Sequence, residues 1–236
     1  MDVRGYAICT TPRSGSNFLC QILAATGVMG RPLEWFNGPG RRAIDHPDYP
    51  DDAELQLSAI RDLGATGNGV YGLKLFPEQF AAVEHLRWVE RLPGLCFVHL
   101  RREDMLGSAL SWARAIQTGQ YRSTAPRYAE SVYDAALIAR CLGDLARNEA
   151  RWRLWFAQNG LRPLVLDYAR VIADPLAAVQ AVADLLGLDR PVTLGPGGVD
   201  LRIQADAETD IWRRRFVEER RTMEAITPTY SVIIDP

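Results

Sequence analysis

No Cys-x-x-Cys pair occurs in the sequence; its four cysteines, Cys9, Cys20, Cys96 and Cys141, stand far apart. Zinc-ribbon and thioredoxin spacings are therefore excluded. Cys9 and Cys96 fall inside apolar runs and are expected as buried, reduced thiols. Histidine is as scarce: His46, His85 and His99 are scattered, so no histidine-based metal site, and no metal, is expected. Positive charge is not in excess either, with 27 Lys and Arg against 29 Asp and Glu. A chain of net charge -2 lacks the basic excess of general nucleic-acid or membrane-surface binders, so any basic cluster must be local. No apolar run reaches transmembrane length, and no charged leader precedes a long apolar stretch, so the expected compartment is the cytoplasm. The Walker A pattern, with its two glycines and lysine, is also missing. So is the Cys-x5-Arg spacing of a tyrosine-phosphatase loop, since three residues separate Cys9 from Arg13.

What is present is ordinary in bulk, 47% hydrophobic and 24% charged, and fits one globular domain over residues 1–236. The organising stretch is Gly5 to Asn17. An apolar run ends in Thr10-Thr11-Pro12-Arg13-Ser14-Gly15-Ser16-Asn17, and Phe18, Leu19, Ile22 and Leu23 then recur at helical spacing. This predicts a strand, a tight turn and a helix N-terminus, whose unpaired N–H groups and positive dipole end suit an anion.

Further strands are predicted at Val70 to Phe76, Leu95 to Leu100 and Leu164 to Tyr168. Helices are predicted at about 52–63, from Pro77 through Glu90, from Asp104 to about Thr118, across the amphipathic stretch 128–159, and from Asp174-Pro175 through Leu186. A helical C-terminal segment at about 200–225, with its last helix from Ala207 to Ala225, and a late edge strand over Tyr230 to Ile234 complete the expectation. The Gly- and Pro-punctuated stretch from Arg31 to Gly40 reads as loop with a short ordered centre, and residues 41 to 52 as polar and Pro-interrupted. Strands alternating with helices imply a three-layer α/β fold, P-loop-like, with a mainly parallel central sheet. Ligands of such sheets lie beyond the carboxyl ends of the strands. The opening loop, Lys74 and Arg101-Arg102 all fall there.

The pattern Thr-x-Arg-Ser-Gly-Ser between strand and helix resembles that of bacterial sulfotransferases using 3′-phosphoadenosine 5′-phosphosulfate (PAPS), in particular the trehalose 2-sulfotransferase subfamily. The likeness extends through Ala25-Thr26-Gly27-Val28-Met29-Gly30, Pro32-Leu33-Glu34-Trp35-Phe36, Tyr71-Gly72-Leu73-Lys74 and Arg101-Arg102-Glu103-Asp104. Ser111, Arg114 to Gln120, Tyr168, Asp174-Pro175 and Arg202 to Asp206 also match. It departs at Met105 to Ser108, and Asn37 to Asp52 finds no counterpart.

The resemblance implies an enzyme that transfers a sulfuryl group from PAPS to a hydroxyl of a carbohydrate or other small alcohol, with trehalose one candidate and PAP the product nucleotide. It implies Glu34 as the catalytic carboxylate, a base whose pKa the neighbouring Trp35 and Phe36 would raise. PAPS carries anions at both ends and needs two cationic sites. Arg13, Ser14, Gly15, Ser16 and Asn17 would take the phosphosulfate, with Arg13 also stabilising the charge that develops in transfer. Arg101 or Arg102 with Ser111 would take the 3′-phosphate. Arg202 and Gln204 either close over that phosphate or form an ordinary loop. Lys74 either supports the phosphosulfate loop or snorkels from a sheet edge. Tyr168 lines the adenine pocket or fills core, and Trp112, next to Ser111, is the one tryptophan placed to do more than pack helices. A homodimer is implied by the resemblance alone. An ATP-dependent phosphotransferase with a degenerate phosphate loop, or a non-catalytic nucleotide-binding module, would use the same loop differently.

Overall fold

The computed structural model describes residues 3–122, 125–188, 192–193 and 207–221. Four parallel strands form the sheet: β1 (Arg4–Cys9), β2 (Val70–Leu75), β3 (Leu95–Arg101) and β4 (Leu164–Asp167), in the order β2-β1-β3-β4. Connections leave β1 toward β2 on one side and reach β3 on the other. The crevice at the carboxyl ends of β1 and β3 is therefore the topological switch point, where ligands of such sheets sit.

The strands are apolar almost throughout because both faces of the sheet are covered. Tyr6 and Ile8 of β1 pack on one face with α1 (Ser16–Ala25) and a later helix, Pro175–Leu185, through Leu19, Leu23, Val179 and Val182. Ala7 and Cys9 turn to the other face, where Trp35, Tyr71, Leu73, Trp88, Trp152 and Phe156 form a second core. Both cysteines expected in strands are free thiols, Cys9 buried and Cys96 half-buried; burial pushes their pKa values up. The arrangement is the expected three-layer α/β fold. Among the described residues, no helix is long and apolar enough to cross a membrane.

Several boundaries differ from the sequence reading. Residues Gly38–Ile44 form a helix, α2, that the abundance of glycine and proline concealed. Asn37 caps it by accepting from Gly40 N, and Pro39 in the first turn costs no hydrogen bond there. After α3 (Ala53–Asp62), the single helix expected over 77–90 is broken. It splits into α4 (Pro77–Val83), a 3-10 turn and α5 (Trp88–Arg91), because Arg87 takes a left-handed backbone at φ 49°. Trp88 then drops into the core.

Helix α6 (Met105–Thr118) is capped by Asp104 as expected. The long amphipathic stretch is helical only from Ala135 to Gln158 (α7), where the Asp134 side chain accepts from Leu137 N; 128–134 is not helix. β4 stops at Asp167, which caps a further short helix, α8 (Tyr168–Ala173), before α9 (Pro175–Leu185). The last helix, α10, runs Ala207–Arg221 and packs Trp212 and Phe216 against α6 and α7 in a third cluster. The predicted edge strand 230–234 lies outside the described residues, as do Arg202 and Gln204.

Candidate active site

The loop after β1 is held from beneath. Thr10 Oγ1 donates to Leu100 O at 2.9 Å and pairs with Ser14 Oγ at 2.6 Å, while Trp152 Nε1 of α7 donates to Thr10 O at 2.8 Å. The loop then climbs through two left-handed residues, Arg13 at φ 61° and Gly15 at φ 85°. A side chain at Gly15 would lie 2.1 Å from the Tyr168 ring, so only glycine fits. Among the described residues no side chain caps α1, and Phe18 N and Leu19 N turn back to Gly15 O, which leaves the N–H groups of Ser16 and Asn17 for another partner.

The loop opens onto a cavity of about 940 Å³ lined by Arg13, Gly15, Ser16, Asn17, Glu34, Lys74, Arg102, Ser111, Trp112 and Tyr168, among others. Eight of its lining residues are Lys or Arg and three are Asp or Glu, so a chain of net charge -2 carries a local basic surplus here. Ser14 does not line it. Its hydroxyl is buried against Thr10, so its expected role as a hydroxyl ligand is corrected to one that fixes the loop.

Of the two arginines after β3, Arg102 lines the large cavity. Its guanidinium stacks 5.0 Å from the centre of the Tyr168 ring, and Nη1 donates to Arg13 O. Arg101 does not line that cavity and faces a smaller hollow of about 130 Å³, which Arg102, Glu103 and Glu149 also line. Tyr168 starts α8 at the end of β4, which places its ring on the loop rather than in the core. Arg13 does not stand alone. Its Nε donates to Ser111 Oγ at 2.9 Å and its Nη1 to Tyr121 O at 2.6 Å, so the two predicted anion sites are contiguous. Burial, reinforced by Arg102, lowers the Arg13 pKa.

Glu34 sits beside β2 because residue 33 pairs with it: Leu33 bridges Leu73, and Lys74 N donates to Leu33 O. Trp35 and Phe36 turn into the core, away from the carboxylate that the sequence reading placed among them. Glu34 is met instead by polar partners. Lys74 Nζ lies 2.8 Å from Oε1, and Asn37 Nδ2 and Gln79 Nε2 donate to Oε2 at 2.8 and 2.9 Å. Burial would raise its pKa, but the ammonium and these three hydrogen bonds outweigh burial and hold it at about 2. The expected upward shift is thus reversed, and Glu34 is ionised at every physiological pH.

Lys74 is buried in β2 and reaches the cavity, not the solvent beyond the sheet edge; its Nζ also donates to Asn17 Oδ1 at 2.7 Å. One ammonium therefore joins the helix start of the loop to the carboxylate. Gln79 and Asn37 were not singled out from sequence. Gln79 carried half a signal: it is the third residue of a helix opened by Pro77, and its Oε1 accepts from Phe76 N while its amide reaches Glu34. Among the described residues, no three His, Cys, Asp or Glu side chains gather as they would around a metal ion.

The model of the family described as Stf0 sulphotransferase matches residues 5–219. The chain belongs to that family. As an Stf0 sulphotransferase it is a transferase acting on sulfuryl groups. Trehalose 2-sulfotransferase of Mycobacterium tuberculosis is 31% identical to it over 92% of this chain and 96% of that protein. Trehalose 2-sulfotransferase of Mycolicibacterium smegmatis is 30% identical over 89% and 93%. Among solved structures, the sulfotransferase domain from the curacin biosynthetic pathway is a distant likeness, at 16% identity and a TM-score of 0.48 over 98% of this chain and 95% of that one. The Stf0 match spans β1 through α10, so every residue placed around the cavity lies within it.

Proposed function

We propose that this sulfotransferase moves the sulfuryl group of PAPS to a hydroxyl of a carbohydrate, with Glu34 as base. The observation that carries the proposal is a single arrangement: loop, Lys74 and Glu34 are hydrogen-bonded in series around one basic cavity. The residues fit the nucleotide. Uncapped N–H groups at α1, a glycine cradle closed by Tyr168 and a surplus of arginine suit an anionic, aromatic ligand. About 940 Å³ leaves space for a second molecule beside it.

PAPS, when bound, supplies the sulfuryl group and departs as PAP. Ser16 and Asn17 offer backbone N–H groups to the phosphosulfate, and the Arg13 guanidinium neutralises charge that builds during transfer. Arg102 and Ser111 hold the 3′-phosphate, and Tyr168 supplies a face for the adenine. Arg202 and Gln204 remain proposed partners of that phosphate. Glu34 takes the proton of the acceptor hydroxyl. A carboxylate of such low basicity accepts late, once the attacking oxygen has become acidic. Lys74 keeps Glu34 ionised and aimed while anchoring Asn17. A homodimer, on resemblance alone, and a cytoplasmic location, as the sequence reading expects, are part of the proposal; light scattering on the purified chain checks the first.

A thermal-shift titration with PAP, beside an ATP–Mg arm, tests the donor site. PAP at about 100 times its Kd should stabilise the native state by about 2.7 kcal/mol. Transfer of labelled sulfate to a panel of sugars that includes trehalose then tests the reaction. Stabilisation by ATP–Mg and none by PAP would sink the proposal.

A further inference from the structure

Residues 37, 40, 41 and 44 recur at the spacing of one helical face, and all four line the cavity. This face begins at the base itself, because Asn37 donates to Glu34. Arg41 lies one turn further on and is only 2% exposed. Asp45 Oδ2 takes one of its N–H groups at 2.9 Å, and the guanidinium sits 6.0 Å from the centre of the Trp35 ring. Its Nε is buried and finds no acceptor among the described residues.

A buried guanidinium with an unmet donor is costly, and such a group calls for a partner. Charge sharpens what that partner is. Asp45 cancels the charge of Arg41, so the pair offers N–H donors without net charge. A sugar acid or sugar phosphate would gain little from it, whereas a neutral polyol needs only the donors. Ile44 and Trp112 add apolar surface of the kind that covers the C–H face of a sugar ring.

We propose that Arg41 is an acceptor-binding residue that donates to oxygens of a neutral sugar whose reacting hydroxyl lies at Glu34. The α2 face is then what reads the acceptor. This rests on the sulfotransferase reading above and deepens it.

The test measures sulfate transfer from labelled PAPS to trehalose, maltose and methyl glucoside, and to glucuronate and glucose 6-phosphate, with a PAP thermal shift on every protein. The wild type should prefer the neutral sugars. Arg41→Lys and Arg41→Gln should keep the PAP shift and the KM for PAPS, and raise the KM for the neutral sugar by about tenfold or more. Asp45→Asn, which leaves the guanidinium charge uncancelled, should move kcat/KM toward the anionic sugars. The inference is overturned if the wild type prefers anionic sugars or sulfates no neutral one. An unchanged acceptor KM in folded Arg41→Lys also overturns it. In each of these cases an intact PAP shift leaves the donor reading standing, whereas a wild type that ignores PAP overturns both.

Discussion

As the proposed base, Glu34 would be reliable rather than strong. Buried alone, its carboxyl would drift upward and lose its charge; Lys74, Asn37 and Gln79 hold it near 2. Glu34→Gln keeps the hydrogen-bonding shape without the acceptor for a proton. It should retain PAP binding and lose about 10²–10⁴ in kcat, measured by labelled-sulfate transfer. Lys74→Gln removes the ammonium and leaves a buried carboxylate uncompensated. That should destabilise the fold by about 3 kcal/mol and move the acid limb of the rate upward, because the downward pull on Glu34 is gone. The sign for stability follows from the same shift. A carboxylate whose folded pKa is depressed to about 2 stabilises the fold above its unfolded pKa near 4.3, and that contribution fades as pH falls from there toward 2. Urea melts of wild type and Glu34→Gln should therefore differ more at pH 6 than at pH 2.5.

Among the elements, what was legible from sequence is what depends on local pattern. The apolar runs of β1, β2 and β3, the Asp104 and Asp174 caps and the strand–turn–helix of the loop all have signatures within a few residues. What was hidden depends on neighbours far along the chain. Glycine and proline in 38–44 look like loop until Asn37 caps them into α2, and Arg87 breaks a smooth helical pattern so that Trp88 can reach the core. The carboxylate at Glu34 was legible, but its environment was not, because adjacent aromatic residues in sequence face the opposite way in space. Gly15 lies between these cases, since its need for a positive φ is local and the Tyr168 ring over it is not. Gly15→Ala should cost about 1–2 kcal/mol from the left-handed backbone alone and abolish the PAP thermal shift by displacing Tyr168. Adding Tyr168→Ala should relieve the clash and restore part of the melting temperature without restoring full PAP affinity.

Across the whole molecule, function depends on an uneven distribution of charge that the net value conceals. The sheet order brings the ends of β1 and β3 together, and α6 and α10 close the cavity from the side, pinned by the paired hydrogen bonds of Arg213 to Asp104 at 2.9 and 2.7 Å. Arg114 adds its ion pair with Glu208 and its bond to Thr209 across the same helices. Basic groups from six or more separate segments thus face one volume, while the rest of the sequence carries the acidic excess. A field built this way concentrates a multiply charged nucleotide but does nothing for a neutral sugar. Raising the salt from about 0.1 M to 1 M shortens the screening length from about 10 Å to 3 Å. The Kd of PAP, read by calorimetry, should weaken by about tenfold over that range, while the KM of a neutral sugar at saturating PAPS should move by less than about twofold. Equal salt sensitivity of both ligands would mean that the acceptor is itself charged, and that the Arg41–Asp45 pair does not read a neutral molecule.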